Sequence, residues 1–210
     1  MKLKLSDFPK NLFITGTDTA VGKTVISAML MAGLNATYWK PIQSGLEEET
    51  DASWIQRVTQ LPSKQFLPES YRLSAPLSPH ASSQLDGIRI DMDQMRLPNN
   101  KRRLIIEGAG GVLVPINEKD FIVDLIKQLN IPVLIVAPNR LGTINHTLLT
   151  IKLIRDYKLQ IFGIVLNGEP NKINKQAIEK YGKIPVVAEI PHIKNITSST
   201  LKELFYTLFL

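Results

Sequence analysis

The stretch Leu12-Phe13-Ile14-Thr15-Gly16-Thr17-Asp18-Thr19-Ala20-Val21-Gly22-Lys23-Thr24 constrains the fold more than any other part of the chain. A short β-type apolar run breaks at Gly16, passes through small polar residues and meets Gly22-Lys23-Thr24. The following Val25-Ile26-Ser27-Ala28-Met29-Leu30-Met31-Ala32 favours a helix. Glycines let backbone N–H groups approach phosphate oxygens, and the helix N-terminus adds partial positive charge. Lys23 can reach β/γ-phosphates and the Thr24 hydroxyl can ligate Mg²⁺. Gly16 and Gly22 enclose five residues where the strict motif has four, so the strand before and the helix after carry the assignment.

With 210 residues, 44% hydrophobic and 21% charged, the chain suits one α/β domain spanning 1–210. The net charge of +6 is modest, and its most concentrated piece, Lys101-Arg102-Arg103, reads as the solvated lead-in to a strand. No nucleic-acid partner is expected. The chain has no cysteine, which excludes disulfides, thiolate metal sites and cysteine nucleophiles. No stretch approaches the roughly 18 apolar residues of a membrane span. The expectation is a soluble, cytoplasmic protein with no membrane partner.

Strand and helix signals then alternate. Ala36–Lys40 reads as a second strand, with Gly33 and Asn35 stopping the helix before it. The acidic patch Glu47-Glu48-Glu49-Thr50-Asp51 reads as a solvated loop, and Asp51 opens a helical stretch over Ala52–Gln60. Leu61–Pro79 carries four prolines and an expected edge strand at Tyr71-Arg72-Leu73, and His80 after it reads as structural. Phe121–Leu129, Thr143–Tyr157, Lys175–Lys180 and a segment from Ser199 read as helices. Ile131–Val136, Ile161–Leu166 and Val186–Ile190 read as strands. Such repeated units predict a doubly wound, mostly parallel sheet flanked by helices, of the P-loop NTPase-like class.

Arg103-Leu104-Ile105-Ile106-Glu107-Gly108-Ala109-Gly110-Gly111 is the second strong feature. A buried parallel strand ends in a carboxylate, and glycines let the chain pass close to a ligand. A carboxylate there, facing a phosphate loop, is a natural Mg²⁺ partner.

Taken in order, Gly16–Thr19, Val21–Thr24, Lys40-Pro41, Ser44-Gly45, Ser78-Pro79-His80, Glu107–Gly111, Leu141-Gly142, Ile144-Asn145-His146 and Glu189-Ile190-Pro191 resemble the dethiobiotin synthetase family. The likeness runs from about Leu12 to about Ile193. It implies an ATP-dependent cyclo-ligase of biotin biosynthesis, in which 7,8-diaminononanoate, CO₂ and MgATP give dethiobiotin, ADP and phosphate. A carbamate on one amine would take the γ-phosphoryl group, and the second amine would close a cyclic urea.

The same resemblance implies the site. Lys23 and Lys40 would bracket carbamate and γ-phosphate, and Thr24, Asp51 and Glu107 would hold Mg²⁺. ATP would lie against Ala20, Val21, Gly22, Lys23, Thr24, Val25, Asp51, Glu107, Gly108, Ala109 and Gly110. Its adenine would be read near Asn167, Gly168, Pro191, His192 and Ile193. Ser44 would hold the diamine or carbamate. In a homodimer, Gly142, Thr143, Ile144 and Asn145 of the partner subunit would receive the substrate carboxylate at the interface. Ala20 stands where many family members carry an acidic residue, the crossover from Thr24 to Ala36 is short, and so is Glu169–Lys183.

Two other readings share the fold. A partition-type regulatory ATPase typically carries a signature lysine early in the phosphate loop, and Gly16–Val21 contains none. A cobyrinic-acid-type amide synthetase carries a glutaminase domain with a cysteine nucleophile, and there is no cysteine here.

Overall fold

A computed structural model describes residues 2–47 and 49–210, so Glu48 of the acidic patch lies outside the described residues. The strands are β1 (Asn11–Gly16), β2 (Thr37–Trp39), β3 (Ile42–Ser44), β4 (Tyr71–Leu73), β5 (Leu104–Gly111), β6 (Val133–Pro138), β7 (Ile161–Asn167) and β8 (Val186–Ile190). The helices are α1 (Lys23–Leu34), α2 (Asp51–Thr59), α3 (Pro79–Leu85), α4 (Ile122–Leu129), α5 (Thr143–Asp156), α6 (Lys172–Gly182) and α7 (Ser198–Leu208).

Six strands form one sheet in the order β2-β5-β1-β6-β7-β8, with every described pairing parallel. Strands buried on both faces need apolar side chains on both, and β1 shows the period of two. Leu12 and Ile14 pack with Met29, Leu30 and Phe205 on the α1 and α7 side, while Phe13 packs with Ile122, Ile126 and Ile154 on the α4 and α5 side. The chain turns from one half of the sheet to the other about β1, so a crevice opens beyond its C-terminal end.

The structure corrects several local expectations. Gly33 does not stop α1, which runs to Leu34 and ends on Asn35 in the left-handed region (φ 48°), with the Asn35 N–H on the Met31 carbonyl. A Cβ on Gly33 would lie 2.1 Å from the Phe205 ring, so that glycine is there for the α1–α7 crossing. The strand expected at Tyr71–Leu73 is present, and it pairs in parallel with the unexpected Ile42–Ser44 as a two-stranded ribbon separate from the main sheet. Helix α3 begins at the end of the proline-bearing stretch Leu61–Pro79, where Ser78-Pro79 starts it with proline in the first turn. Helix α6 begins at Lys172 rather than Lys175, because the Asn171 side chain accepts from the N–H groups of Ile173 and Asn174. Strand β5 does not end at Glu107 but continues through the glycines to Gly111.

Candidate nucleotide and metal site

The phosphate loop connects β1 to α1. Gly22 caps the helix at φ 98°, and a Cβ there would sit 2.2 Å from the Asn167 amide nitrogen. Only glycine meets both conditions. The first helical hydrogen bond is Ile26 N–H to the Gly22 carbonyl at 3.1 Å. The amides of Lys23, Thr24 and Val25 precede it and have no intrahelical acceptor. They are donors for an anion at the positive end of the helix. Lys23 is 7% exposed and folds back, its Nζ donating to the Asp18 carbonyl at 3.2 Å.

Three elements bring oxygens to this point. Thr24 lies in the first turn of α1, Asp51 opens α2 and Glu107 lies within β5. Ile14 of β1 pairs with Glu107 and Gly16 pairs with Gly111, so β5 bulges past the loop just after the carboxylate. The Thr24 hydroxyl donates to Asp51 Oδ1, and its oxygen lies 3.0 Å from Glu107 Oε1. Lys40, one residue past β2, is ion-paired with Asp51 Oδ2 and stands 3.7 Å from Glu107 Oε1. Glu107 is 1% exposed and Lys40 7%. Isolated charges at that depth would be costly, so two lysines are set against two carboxylates.

The two lysines respond in opposite directions. Burial pulls Lys23 below the usual lysine value, helped by repulsion from Lys40, and the nearby carboxylates only partly restore it. Burial works against Lys40 too, but Glu107 and Asp51 overcome it and hold the ammonium above its ordinary value. Asp51 is the converse: burial pushes its carboxyl up, and Lys40 more than reverses this, leaving it low. Tyr38 is pushed well above the ordinary phenol value by burial and by Glu107.

These groups floor a cleft of about 970 Å³, which Thr19, Ala20, Gly22, Val25, Ala109 and Gly110 also line. Across it stand Ser44, Glu49, Trp54 and the segment Pro76–Pro79. The Ser44 hydroxyl is buried with no hydrogen-bond partner among the described residues. Among the described residues no group of three His, Cys, Asp or Glu gathers to hold a metal. The donor set here is two carboxylates and a hydroxyl, all hard oxygens. It fits a Mg²⁺ ion that completes its shell with phosphate and water rather than an all-protein cage.

Other candidate residues lie apart from this cleft. Asn167 ends β7, and Gly168 follows it to meet the end of β8, where Gly168 N–H donates to the Ile190 carbonyl. The Asn167 amide donates to the Val21 carbonyl at 2.9 Å, so it braces the phosphate loop from the side where Pro191, His192 and Ile193 follow β8. Val21 turns its side chain into the core, and Gly108 packs on the Phe13 ring. Gly142 caps α5, with exposed Asn145, half-buried Ile144 and buried Thr143 in its first turn, and none of the four lines the cleft. Ser78-Pro79 of the wall belongs to the motifs that carry the family resemblance; two features gave no signal in the sequence, Trp54 on the cleft wall and, behind the site, the Tyr38 hydroxyl. The last is invisible in sequence because tyrosine in a strand reads as core.

A parallel sheet with a glycine-capped phosphate loop at its switch point, two lysines and a hydroxyl–carboxylate cluster defines the class: a P-loop nucleotide-binding α/β protein. Residues 10–200 match the family model described as an AAA domain. The chain is 41% identical over 196 residues to the ATP-dependent dethiobiotin synthetase BioD of Rhodopseudomonas palustris, covering 93% of this chain and 92% of that one. To the BioD of Paramagnetospirillum magneticum it is 43% identical, covering 91% and 93%. It also matches the biotin biosynthesis bifunctional protein BioCD of Bordetella avium at 45% over 186 residues, but spans only 40% of that protein. The chain belongs to the ATP-dependent dethiobiotin synthetase family. Among solved structures, a ParA family ATPase from Chlorobium tepidum covers 95% of this chain and 98% of its own at TM-score 0.53. The cell division ATPase MinD of Pyrococcus furiosus covers 87% and 84% at 0.54. Both are 14% identical, a likeness of fold alone.

Proposed function

We propose that the chain carboxylates 7,8-diaminononanoate with CO₂ and closes it to dethiobiotin at the expense of ATP. The observation that carries this is the convergence of Lys23, Lys40, Thr24, Asp51 and Glu107 in one cleft whose far wall offers the unpartnered Ser44 hydroxyl. Phosphoryl transfer asks a protein mainly for positioning and charge neutralisation. The helix α1 amides and Lys23 hold the β- and γ-phosphates. Thr24, Asp51 and Glu107 hold Mg²⁺, which when bound supplies positive charge to the transferring group. Lys40 sits between the metal ligands and the open cleft, where its ammonium neutralises a carbamate and the charge that develops as the carbamate oxygen attacks γ-phosphorus and ADP leaves. The second amine then attacks the carbamate carbon and releases phosphate. Ser44 hydrogen-bonds the diamine or its carbamate. Asn167, Gly168 and Pro191–Ile193 take the adenine.

Gly142–Asn145 receives the substrate carboxylate across a homodimer interface. Leu141 beside it is fully exposed and Leu149 is 59% exposed, as an unpaired interface would leave them. Free N–H groups at the start of α5 supply the carboxylate partners.

The test is to incubate the purified protein with MgATP, bicarbonate and 7,8-diaminononanoate, following dethiobiotin by mass spectrometry and phosphate release together. One phosphate per dethiobiotin, strictly dependent on the diamine, is expected. ATP turnover indifferent to the diamine would overturn the reading in favour of a regulatory ATPase.

A further inference from the structure

Glu107 uses its two carboxylate oxygens differently. Oε1 faces the cleft, 3.0 Å from Thr24 Oγ1 and 3.7 Å from Lys40 Nζ. Oε2 points away, accepting from Ser27 Oγ at 2.7 Å and from Tyr38 OH at 3.1 Å. Both donors are wholly buried. Their placement follows from local periodicity. Ser27 lies three residues after Thr24 on α1 and so on the same helix face. Tyr38 occupies the one position of the three-residue β2 whose side chain faces α1 rather than α4. Ile105 and Glu107 share that same face of β5.

A buried phenol or hydroxyl placed only to fill space would leave its polar atom unpaired at a cost. Here both spend their single proton on one carboxylate oxygen. We propose that Tyr38 and Ser27 are positioning residues that clamp Oε2 of Glu107, fix its rotamer and leave Oε1 alone to ligate the metal of the bound nucleotide. This rests on Glu107 being a metal ligand. The clamp would leave Glu107 one oxygen for the metal, which suits a hard cation that keeps waters and phosphate oxygens in its shell. Outer partners of this kind orient the ligating group, and losing them typically lowers metal affinity by about 10–100-fold.

The experiment measures metal directly. Mn²⁺ is titrated by electron paramagnetic resonance in the presence of ADP, and ADP is titrated calorimetrically in EDTA and in Mg²⁺. Variants are Tyr38→Phe, Ser27→Ala, the double variant, Ser27→Thr and Glu107→Gln. Tyr38→Phe keeps the ring and should fold as the parent does. Its Mn²⁺ affinity should fall by about tenfold, the double variant's further, while ADP binding in EDTA stays unchanged. Ser27→Thr, which keeps a hydroxyl, should stay close to the parent. If Glu107→Gln loses metal affinity while Tyr38→Phe and the double variant keep it, the clamp is refuted and the site reading stands. Equal losses with and without metal would refute the clamp too, as a purely structural effect. Parent-like metal affinity in Glu107→Gln would remove the ligand reading and the clamp with it.

Discussion

The two ends of the parallel sheet both gather cations and use them in opposite ways. At the C-terminal ends of β1, β2 and β5, Lys23 and Lys40 are buried and set against Asp51 and Glu107. At the N-terminal ends, Lys10, Lys101, Arg102 and Arg103 surround a shallow hollow of about 390 Å³ beside Phe8 and Asn35. There the guanidinium groups cap carbonyls: Arg103 donates to Leu5 at 2.9 Å, and Arg102 to Asn35 at 3.3 Å. These cations keep water, and no carboxylate lines that hollow among the described residues. Burying an ion costs several kcal/mol unless partners compensate. Among the described residues, the buried ion pairs lie where the phosphate loop meets α1, and the exposed cations lie where they fasten the Leu5 and Asn35 carbonyls.

The sharpest way to break this comparison is Lys40→Met. Methionine keeps the apolar stem and deletes the charge. ATP should still bind through the α1 amides and Lys23, while dethiobiotin formation at saturating substrates falls by about 10²–10³, the usual cost of losing one donor to developing charge. Paired calorimetry and product assays check it. Equal loss of both would make Lys40 a nucleotide ligand, and loss of neither would make it a bystander no different from Lys101.

A second contrast runs along α1, which starts at one end of the sheet and finishes at the other. Gly22→Ala would place a methyl in the left-handed region and against Asn167. It should abolish most nucleotide binding. Gly33→Ala would drive a methyl into the Phe205 ring. Overpacking of that kind costs about 1–3 kcal/mol, so the denaturant midpoint should drop with nucleotide affinity intact. Matching phenotypes for the two glycines would mean that the ends of α1 are not separable into ligand and packing roles.

Gly33 also shows what sequence can carry. The phosphate loop, the Glu107 strand and the alternation of elements were legible because their signals are local: a broken apolar run, a glycine turn, a helix former. Gly33 read as a stop because it sits near Asn35, and only the Phe205 ring, distant in sequence, reveals its purpose. The β3–β4 ribbon was legible only in part: the sequence signals the strand at Tyr71–Leu73, but its three-residue partner Ile42–Ser44 and their long-range pairing leave no local signal. Lys40, Asp51 and Glu107 were nominated separately by position and resemblance, whereas their mutual contacts belong to the fold. Tyr38 marks the limit: its strand pattern predicts burial correctly and conceals the hydroxyl that touches Glu107.

The smallest expected effect sharpens the comparison most, because it is a prediction of near silence. Arg103→Gln removes the guanidinium that reaches Leu5, and its distant Phe8 contact at 3.4 Å. Those bonds are partly exposed, and water can take over the carbonyls of the one-turn segment Leu5–Asp7. A net hydrogen-bond contribution of about 0.5–1.5 kcal/mol is the ceiling, and partial exposure places this change near its lower edge. Lys101→Met, at an exposed side chain with no hydrogen bond or ion pair among the described residues, should lie within about 0.5 kcal/mol of the parent. Neither change should alter ATP affinity or product formation, because the whole length of the sheet separates them from the cleft. Urea unfolding and the coupled product assay measure both quantities on the same preparations. A large fall in ATP affinity from either substitution would show that the basic end of the sheet communicates with the nucleotide. The division of labour between the two ends would then have to be abandoned.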